Sequence, residues 1–461
     1  MPVMKRLAFL CLSLVSATPL WSQQEPTESN TVSSKAETIV ELDCFVGGSS
    51  VWKITPADVE STFKKRGFAW LDEGKKTRGI IRPRGLFLKI VKGPEQISVT
   101  DYERTRHQLT LFGNPVYEAT LEFSSDKLAA VNISIWNKGD AEQSLAKGIY
   151  DEMVKRTVAS LDTALKVRGR DMGKDNSGAA KISRWRWETA DTLAQLEHSS
   201  GRDEYRDFAA DFIRLRLAPK GVKMDSTAAP SRLALGNLAT RVKKTPEGDV
   251  YVDSVPMVDQ GEKGYCAVAS TERVMRYYGI QVDQHELAKA ADTSQYGTRP
   301  QDFEDALHRL QGRFKIRVRD LITFDQRDYE RIVANYNREA KKAGGRQWEP
   351  NMYYFEFNPD IMREARCRGG AFEKFRGLIV NATSRGVPLL WALSLGRYPE
   401  TGHENPQGGG GHMRTIIGYN SKTDEVIFTD SWGAGHELKR MKGRDACAAT
   451  NGLYLVEPSA N

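Results

Sequence analysis

The chain has 461 residues, 40% of them hydrophobic and 28% charged, with a net charge of +7. That length exceeds one ordinary domain and predicts two or three, and the composition is that of a globular chain without a low-complexity tract. The charge excess is modest and no basic stripe interleaves with aromatics, so nucleic acid is not an expected partner.

Lys5-Arg6 precedes an apolar run from Leu7 to Val15, then small and turn residues. Charged, apolar and cleavage regions in that order read as a secretory signal peptide over residues 1–22, cut after Ala17 or Ser22. The run is too short to span a bilayer, and no other stretch is long and apolar enough. No stable membrane insertion is expected once the signal is removed. Leu10 stands before Cys11, where a lipobox would want a small residue, which argues against a lipid anchor. The expected location is secreted or periplasmic. Residues 23–35 are polar and rich in Ser, Thr and Glu, and read as a disordered tether.

Residues 36–170 form an expected N-terminal α+β domain. Thr38–Phe45 is strand-like. Thr55-Pro56 is a good cap and first-turn pair for a helix through about Arg66. Ile80–Ile81, Leu86–Val91, Gln108–Phe112, Val116–Phe123 and Leu128–Trp136 then read as strands, several with alternating polarity. A long amphipathic helix over Glu142–Val167 closes the domain. Residues 171–232 read as a helical linker region: a polar linker at Asp171–Ser183, helices at Arg184–Glu197 and Arg202–Leu217, and a second linker at Lys220–Arg232. No catalytic motif stands out before residue 233. This part of the chain binds a partner or occludes a cleft on the simplest readings.

The chemistry is expected in the last domain, residues 233–461. In VPMVDQGEKGYCAVASTERVMRYYG, Gly261 and Gly264 punctuate a loop that delivers Cys266 to a helix start. Val268, Thr271, Val274, Met275 and Tyr278 recur at helical spacing, and Gly279 ends the helix. A thiol at a helix N-terminus feels the positive end of the macrodipole, which favours thiolate. Gln260, upstream in the same loop, can fold back and donate into the volume beside the cysteine's own N–H; two such donors make an oxyanion hole. The expected base is His412, behind the Gly408–Gly411 run and at the head of a strand. His403 and His436 compete for the role. Val426–Thr429 is strand-like and ends on Asp430. Pairing of the two strands would bring that carboxylate to the imidazole. The histidine spacings match no standard zinc pattern, and neither metal nor organic cofactor is expected.

These segments resemble papain-like cysteine peptidases. Gln260, Gly261, Gly264 and Cys266 look like their Q-G-x-x-G-x-C segment, and His412 with Gly418-Tyr419 resembles their H-x5-G-Y strand. Asp430-Ser431-Trp432-Gly433 resembles their N-S-W-G segment, and Asn451-Gly452-Leu453-Tyr454 their final strand. Asp430 in place of Asn, the helix after Cys266, and Gly297-Thr298 before a helical Gln301–Leu310 bring the chain closer to bacterial double-glycine peptidases. Ala267-Val268 departs from the Gly-Pro usual there. The likeness covers about residues 250–457. It implies a papain-like α+β domain that hydrolyses a peptide or protein substrate. Cys266 would be the nucleophile, His412 the base, Asp430 its orienter and Gln260 the oxyanion donor, with Trp432 shielding the His–Asp pair. Tyr265 and Trp432 are the expected substrate contacts, with Tyr296 beside them. The same triad also serves amidases and transglutaminases, and a binding or adhesion protein on a retired peptidase fold is the non-enzymatic alternative.

Four cysteines follow the signal: Cys44, Cys266, Cys367 and Cys447. With Cys266 free, at most one bridge forms, and Cys367 with Cys447 is the favoured pairing among the possible ones.

Overall fold

The computed structural model describes residues 38–72, 74–82, 91–92, 97–98, 107–141, 144–203, 205–222, 238–261, 263–349 and 357–459. The expected signal peptide and tether, most of Leu86–Val91 and most of the Lys220–Arg232 linker lie outside them. Two compact units divide the chain, one within the bounds Leu12–Asn176 and Lys181–Met224, the other within Ser177–Ala180 and Asp225–Asn461.

In the first unit Thr55 starts a helix as its sequence predicts. Its side chain accepts from the Asp58 N–H at 3.2 Å, and Asp58 accepts from the Thr55 N–H at 2.8 Å, a reciprocal capping box that opens Pro56–Phe63. An eight-stranded antiparallel sheet forms the body of the unit, in the order 170–175, 182–188, 192–202, 208–219, 127–137, 118–124, 78–81, 68–70. The long helix Lys147–Leu165 buries Tyr150, Leu161 and Leu165 in a core shared with Val131, Ile133, Ile213 and Leu215.

The region 171–232 is therefore not a helical linker. Arg184–Glu197 and Arg202–Leu217, expected as helices, lie in the strands Ile182–Glu188, Thr192–Arg202 and Phe208–Pro219, and Arg170–Asp175 is a strand inside the expected polar linker. The deciding pattern is Ile213-Arg214-Leu215-Arg216-Leu217. Its period of two sends the aliphatics into the core and the arginines to the opposite face. Two tight turns break the supposed helices. Thr189 accepts the Thr192 N–H at 3.0 Å, and Asp203 accepts the N–H groups of Tyr205 and Asp207 at 3.0 and 2.9 Å.

The opposite face carries a buried charge cluster. Glu197, fully buried, accepts Arg214 Nε at 2.6 Å, Arg184 Nε at 3.1 Å and Gln195 Nε2 at 2.6 Å. Burial alone would raise its pKa. Arg214, Arg216 and Arg184 outweigh that and hold it down at about 2.

The second unit is built on a nine-stranded antiparallel sheet. Its main path runs 316–322, 450–458, 389–395, 410–420, 425–429, 439–442, 400–401, with 249–252 pairing beside 410–420. The helix Cys266–Tyr277 packs on Gly410–Asn420, and almost all of its side chains are buried. Ser270 Oγ donates to the Met413 carbonyl at 3.1 Å, which ties this helix to the strand one residue beyond His412. Helices Gln326–Ala343 and Pro359–Arg366 are inserted between strands 316–322 and 389–395 and hold a satellite core of Tyr336, Ala340, Phe357 and Ile361. Among the described residues no helix is long and apolar enough to cross a membrane.

Cys367 and Cys447 both lie in the second unit, as the favoured pairing supposed, but as free thiols and not as a bridge, and Cys367 Sγ donates to the Arg444 carbonyl at 3.3 Å.

Candidate active site

Cys266 is the first residue of its helix, with Tyr265 at the cap position. Local geometry explains the loop before it. Gly264 N–H donates to the Gln295 carbonyl at 2.8 Å, and a Cβ on Gly264 would stand 2.2 Å from Gly297 N. Only glycine permits that backbone contact, so the 294–297 loop pins the residues leading into the cysteine.

His412 belongs to the strand Gly410–Asn420, and Asp430 follows the strand Glu425–Thr429 directly. These strands pair antiparallel with Thr415 opposite Thr429, which sets the two side chains at the same end of the ladder. His412 Nε2 lies 2.7 Å from Asp430 Oδ1, and both side chains are fully buried. The Trp432 ring stacks on the imidazole, with centroids 4.2 Å apart and planes within 12°. The other ring nitrogen, Nδ1, is buried without a hydrogen-bond partner among the described residues. Burial disfavours the charged ring. Asp430 first, and Cys266 after it, outweigh burial and raise the His412 pKa to about 9. The Asp430 carboxyl is held well below the usual carboxylate range, because His412, Arg414 and Lys439 outweigh its burial.

Gln260 is buried with its amide fixed in both directions. Its Oε1 accepts Ser431 Oγ at 2.7 Å, its Nε2 donates to the Lys263 carbonyl at 3.2 Å, and its N–H donates to the Ser431 carbonyl at 2.8 Å. The loop before the cysteine is thereby fastened to the segment just after Asp430. An amide N–H₂ has two protons, and one engaged with Lys263 leaves a second to donate.

Residues 252–447 match the model of the Peptidase_C39 like family. That match lies within the second unit and covers under half of the chain. No curated protein matches the chain. Among solved structures it is similar to the peptidase domain of Streptococcus ComA, a bi-functional ABC transporter involved in a quorum-sensing pathway. The identity is 13%, covering 45% of this chain and 100% of that one, with a TM-score of 0.24. It is also similar to xylellain, a cysteine protease from Xylella fastidiosa. There the identity is 11%, covering 51% and 94%, with a TM-score of 0.26.

Within the second unit the structure pairs His412 with Asp430, packs the helix that begins at Cys266 on the His412 strand, and fixes Gln260 in the loop that leads to the cysteine. Two expected contacts come out differently. Tyr265 is fully buried, edge-on to His285 with Lys263 over its ring, so it supports the loop and cannot touch a substrate. Trp432 is half-buried and spends one face on His412. Tyr296 is 73% exposed. The competing bases fall behind Trp432. His436 meets the edge of that ring and of His403, and burial, with Lys439 beside it, lowers its pKa to about 4.

The reading from sequence missed two arginines. Arg414 is fully buried and donates from Nε to Asp430 Oδ2 at 2.6 Å. Arg273, two turns past Cys266, donates to the carbonyls of Pro256 and Asp430 and to Thr429 Oγ1. Both had a legible signal. Arg414 shares a strand face with His412, and Arg273 is a cation inside an otherwise buried helix.

Proposed function

We propose that the chain is a secreted or periplasmic cysteine peptidase that cleaves peptide bonds through Cys266, His412 and Asp430, with Gln260 in the oxyanion hole. The carrying observation is the buried His412–Asp430 pair, stacked under Trp432, with Cys266 at the N-terminus of the helix packed on the His412 strand. Location rests on the charged, apolar and small-residue order of residues 5–22.

The steps follow from the charges. At neutral pH His412 is imidazolium, which supplies the positive charge that a thiolate nucleophile needs. The Cys266 sulfur attacks the scissile carbonyl carbon, and the C=O electrons move onto oxygen. The Cys266 N–H and the Gln260 amide receive that oxyanion. As the tetrahedral species collapses, the C–N bond breaks and His412 gives its proton to the leaving amine. Neutral His412 then takes a proton from water, whose oxygen attacks the thioester. The acid product leaves and the thiolate–imidazolium pair is restored. Asp430 keeps the imidazole in the tautomer and orientation that both steps require.

The experiment is cleavage of a denatured protein or peptide mixture by the secreted chain, read by mass spectrometry for new amino termini. New termini from wild type and none from Cys266→Ala support the reading. Identical termini from both would remove Cys266 from the reaction. Products joined to an added amine, in place of hydrolysed ones, would assign the site to a transglutaminase.

A further inference from the structure

We propose that Arg414 is a positioning residue of this site: its guanidinium clamps the Asp430 carboxylate against a second, half-buried carboxylate, Glu400, so that Asp430 Oδ1 stays on His412. The proposal rests on the cysteine-peptidase reading given above and extends it to a residue outside the triad.

The geometry carries it. Arg414 is fully buried and lies two positions past His412 on the same strand. Its Nε donates to Asp430 Oδ2 at 2.6 Å. Nη1 donates to Glu400 Oε2 at 2.6 Å, and Nη2 to Glu400 Oε1 and Asn405 Oδ1, both at 3.1 Å. Every edge of the planar fork is engaged, which a lysine could not reproduce. Glu400 is anchored in turn by Lys439 Nζ at 2.8 Å and by Asn405 Nδ2 at 2.6 Å. Asp430 has its other oxygen on His412 Nε2 and on the Ser431 N–H at 2.9 Å.

A carboxylate turns easily about its last torsion, which is broad and roughly two-fold. With Oδ2 held by Arg414, rotation of Asp430 would break a charge-assisted bond in a dry site. The row of charges also alternates: imidazolium, Asp430, Arg414, Glu400, Lys439. An arginine is permanently charged, so the clamp does not release while Asp430 and Glu400 stay ionised. Arg414 is further held by the Phe428 ring, 4.5 Å beneath it.

The test measures two things on wild type, Arg414→Gln and Arg414→Lys: the pH dependence of kcat/KM, and the titration of the His412 imidazole by NMR, assigned against His412→Gln. The charged groups acting on that ring are Cys266 from the helix, Asp430 from the loop after strand 425–429, Arg414 on its own strand, and Lys439 and Glu400 behind them. A freed Asp430 leaves the imidazole less well paired. Arg414→Gln is therefore expected to lower kcat/KM about 10- to 100-fold and to move the His412 titration down by about one pH unit. Arg414→Lys, which keeps the charge and loses the fork, is expected to move the titration in the same direction and to lose kcat at unchanged KM. An unmoved His412 titration in both variants, with activity tracking only the folded fraction, overturns the proposal. Should Arg414→Gln not fold, Arg414→Lys decides alone, and an unchanged kcat overturns it. The NMR titration needs no turnover. A wild type without Cys266-dependent activity would sink the peptidase reading while the Arg414 effect on His412 is still scored.

Discussion

His412 Nε2 sits 2.7 Å from Asp430 Oδ1 with both side chains shut off from solvent. An ion pair in that setting stabilises the fold only while both partners stay charged. The folded His412 pKa, about 9, lies above its ordinary value near 6.5. Its contribution is fully present below that ordinary value and is lost as pH rises through about 9. In the proposed reaction activity follows the same proton, since His412 gives it to the leaving amine. The expected result is an alkaline limb in kcat/KM near pH 9, with a parallel fall in thermal stability across pH 7 to 10 that His412→Gln abolishes. A limb near 6.5 would show that Asp430 does not govern the imidazole.

Asp430→Asn is expected to be costly in stability as well as rate. Papain-like enzymes carry Asn at the matching position, so an amide can orient the imidazole. Here the amide would remove one of the two carboxylates that pair with the buried Arg414 and leave it Glu400 alone. Removing one member of a buried ion pair destabilises by about 3–5 kcal/mol. Urea unfolding should show a loss of that order, and an unchanged midpoint would contradict the role of Arg414 as well.

Gln260→Ala should act on the chemical step. Deleting one oxyanion donor costs about 10²–10³ in kcat. KM should change little, since the ground-state carbonyl does not need that donor. A KM effect with kcat intact would assign Gln260 to the loop alone, where it holds Ser431.

In the first unit, Glu197→Ala would leave Arg184 and Arg214 facing each other in the buried cluster. A loss of about 3–5 kcal/mol is expected. Wild-type acid behaviour supplies the control. The Glu197 pKa is held down at about 2. Its contribution is present above the ordinary carboxylate range and is lost as pH falls through about 2. Calorimetry of the full chain should show one transition weakened by the substitution. Two unaffected transitions would mean the cluster contributes nothing net.

Much of the site was legible because its parts announce themselves locally. A loop with Gly264 before Cys266, an apolar-periodic helix after it, and strands headed by His412 and closed before Asp430 each have a short-range signature. The arginines were harder. Arg414 shares a strand face with His412 and Arg273 lies in an otherwise buried helix, but their partners come into view only when strand and helix meet. The region after residue 170 was misread for a different reason. Apolar residues in LRLAP and AQLEH satisfy helical spacing over a few positions, and the period-two run of Ile213, Leu215 and Leu217 was the better guide. Partnering strands decided it, since neighbours on both sides supply the hydrogen bonds. Tyr265 was placed at the cleft by adjacency to Cys266, although the cap position turns its ring inward.

The central claim is that Cys266 is the nucleophile. The direct measurement is stoichiometric labelling by an electrophilic peptidyl probe, mapped by tandem mass spectrometry on wild type and His412→Gln. Cys44 is an exposed internal control, its thiol pushed up in pKa by burial of the sulfur and by Asp43. The account predicts one equivalent of probe on Cys266 in wild type, little on Cys44, Cys367 or Cys447, and a steep loss of Cys266 labelling in His412→Gln. Equal labelling of Cys44 and Cys266, unchanged by His412→Gln, would contradict it.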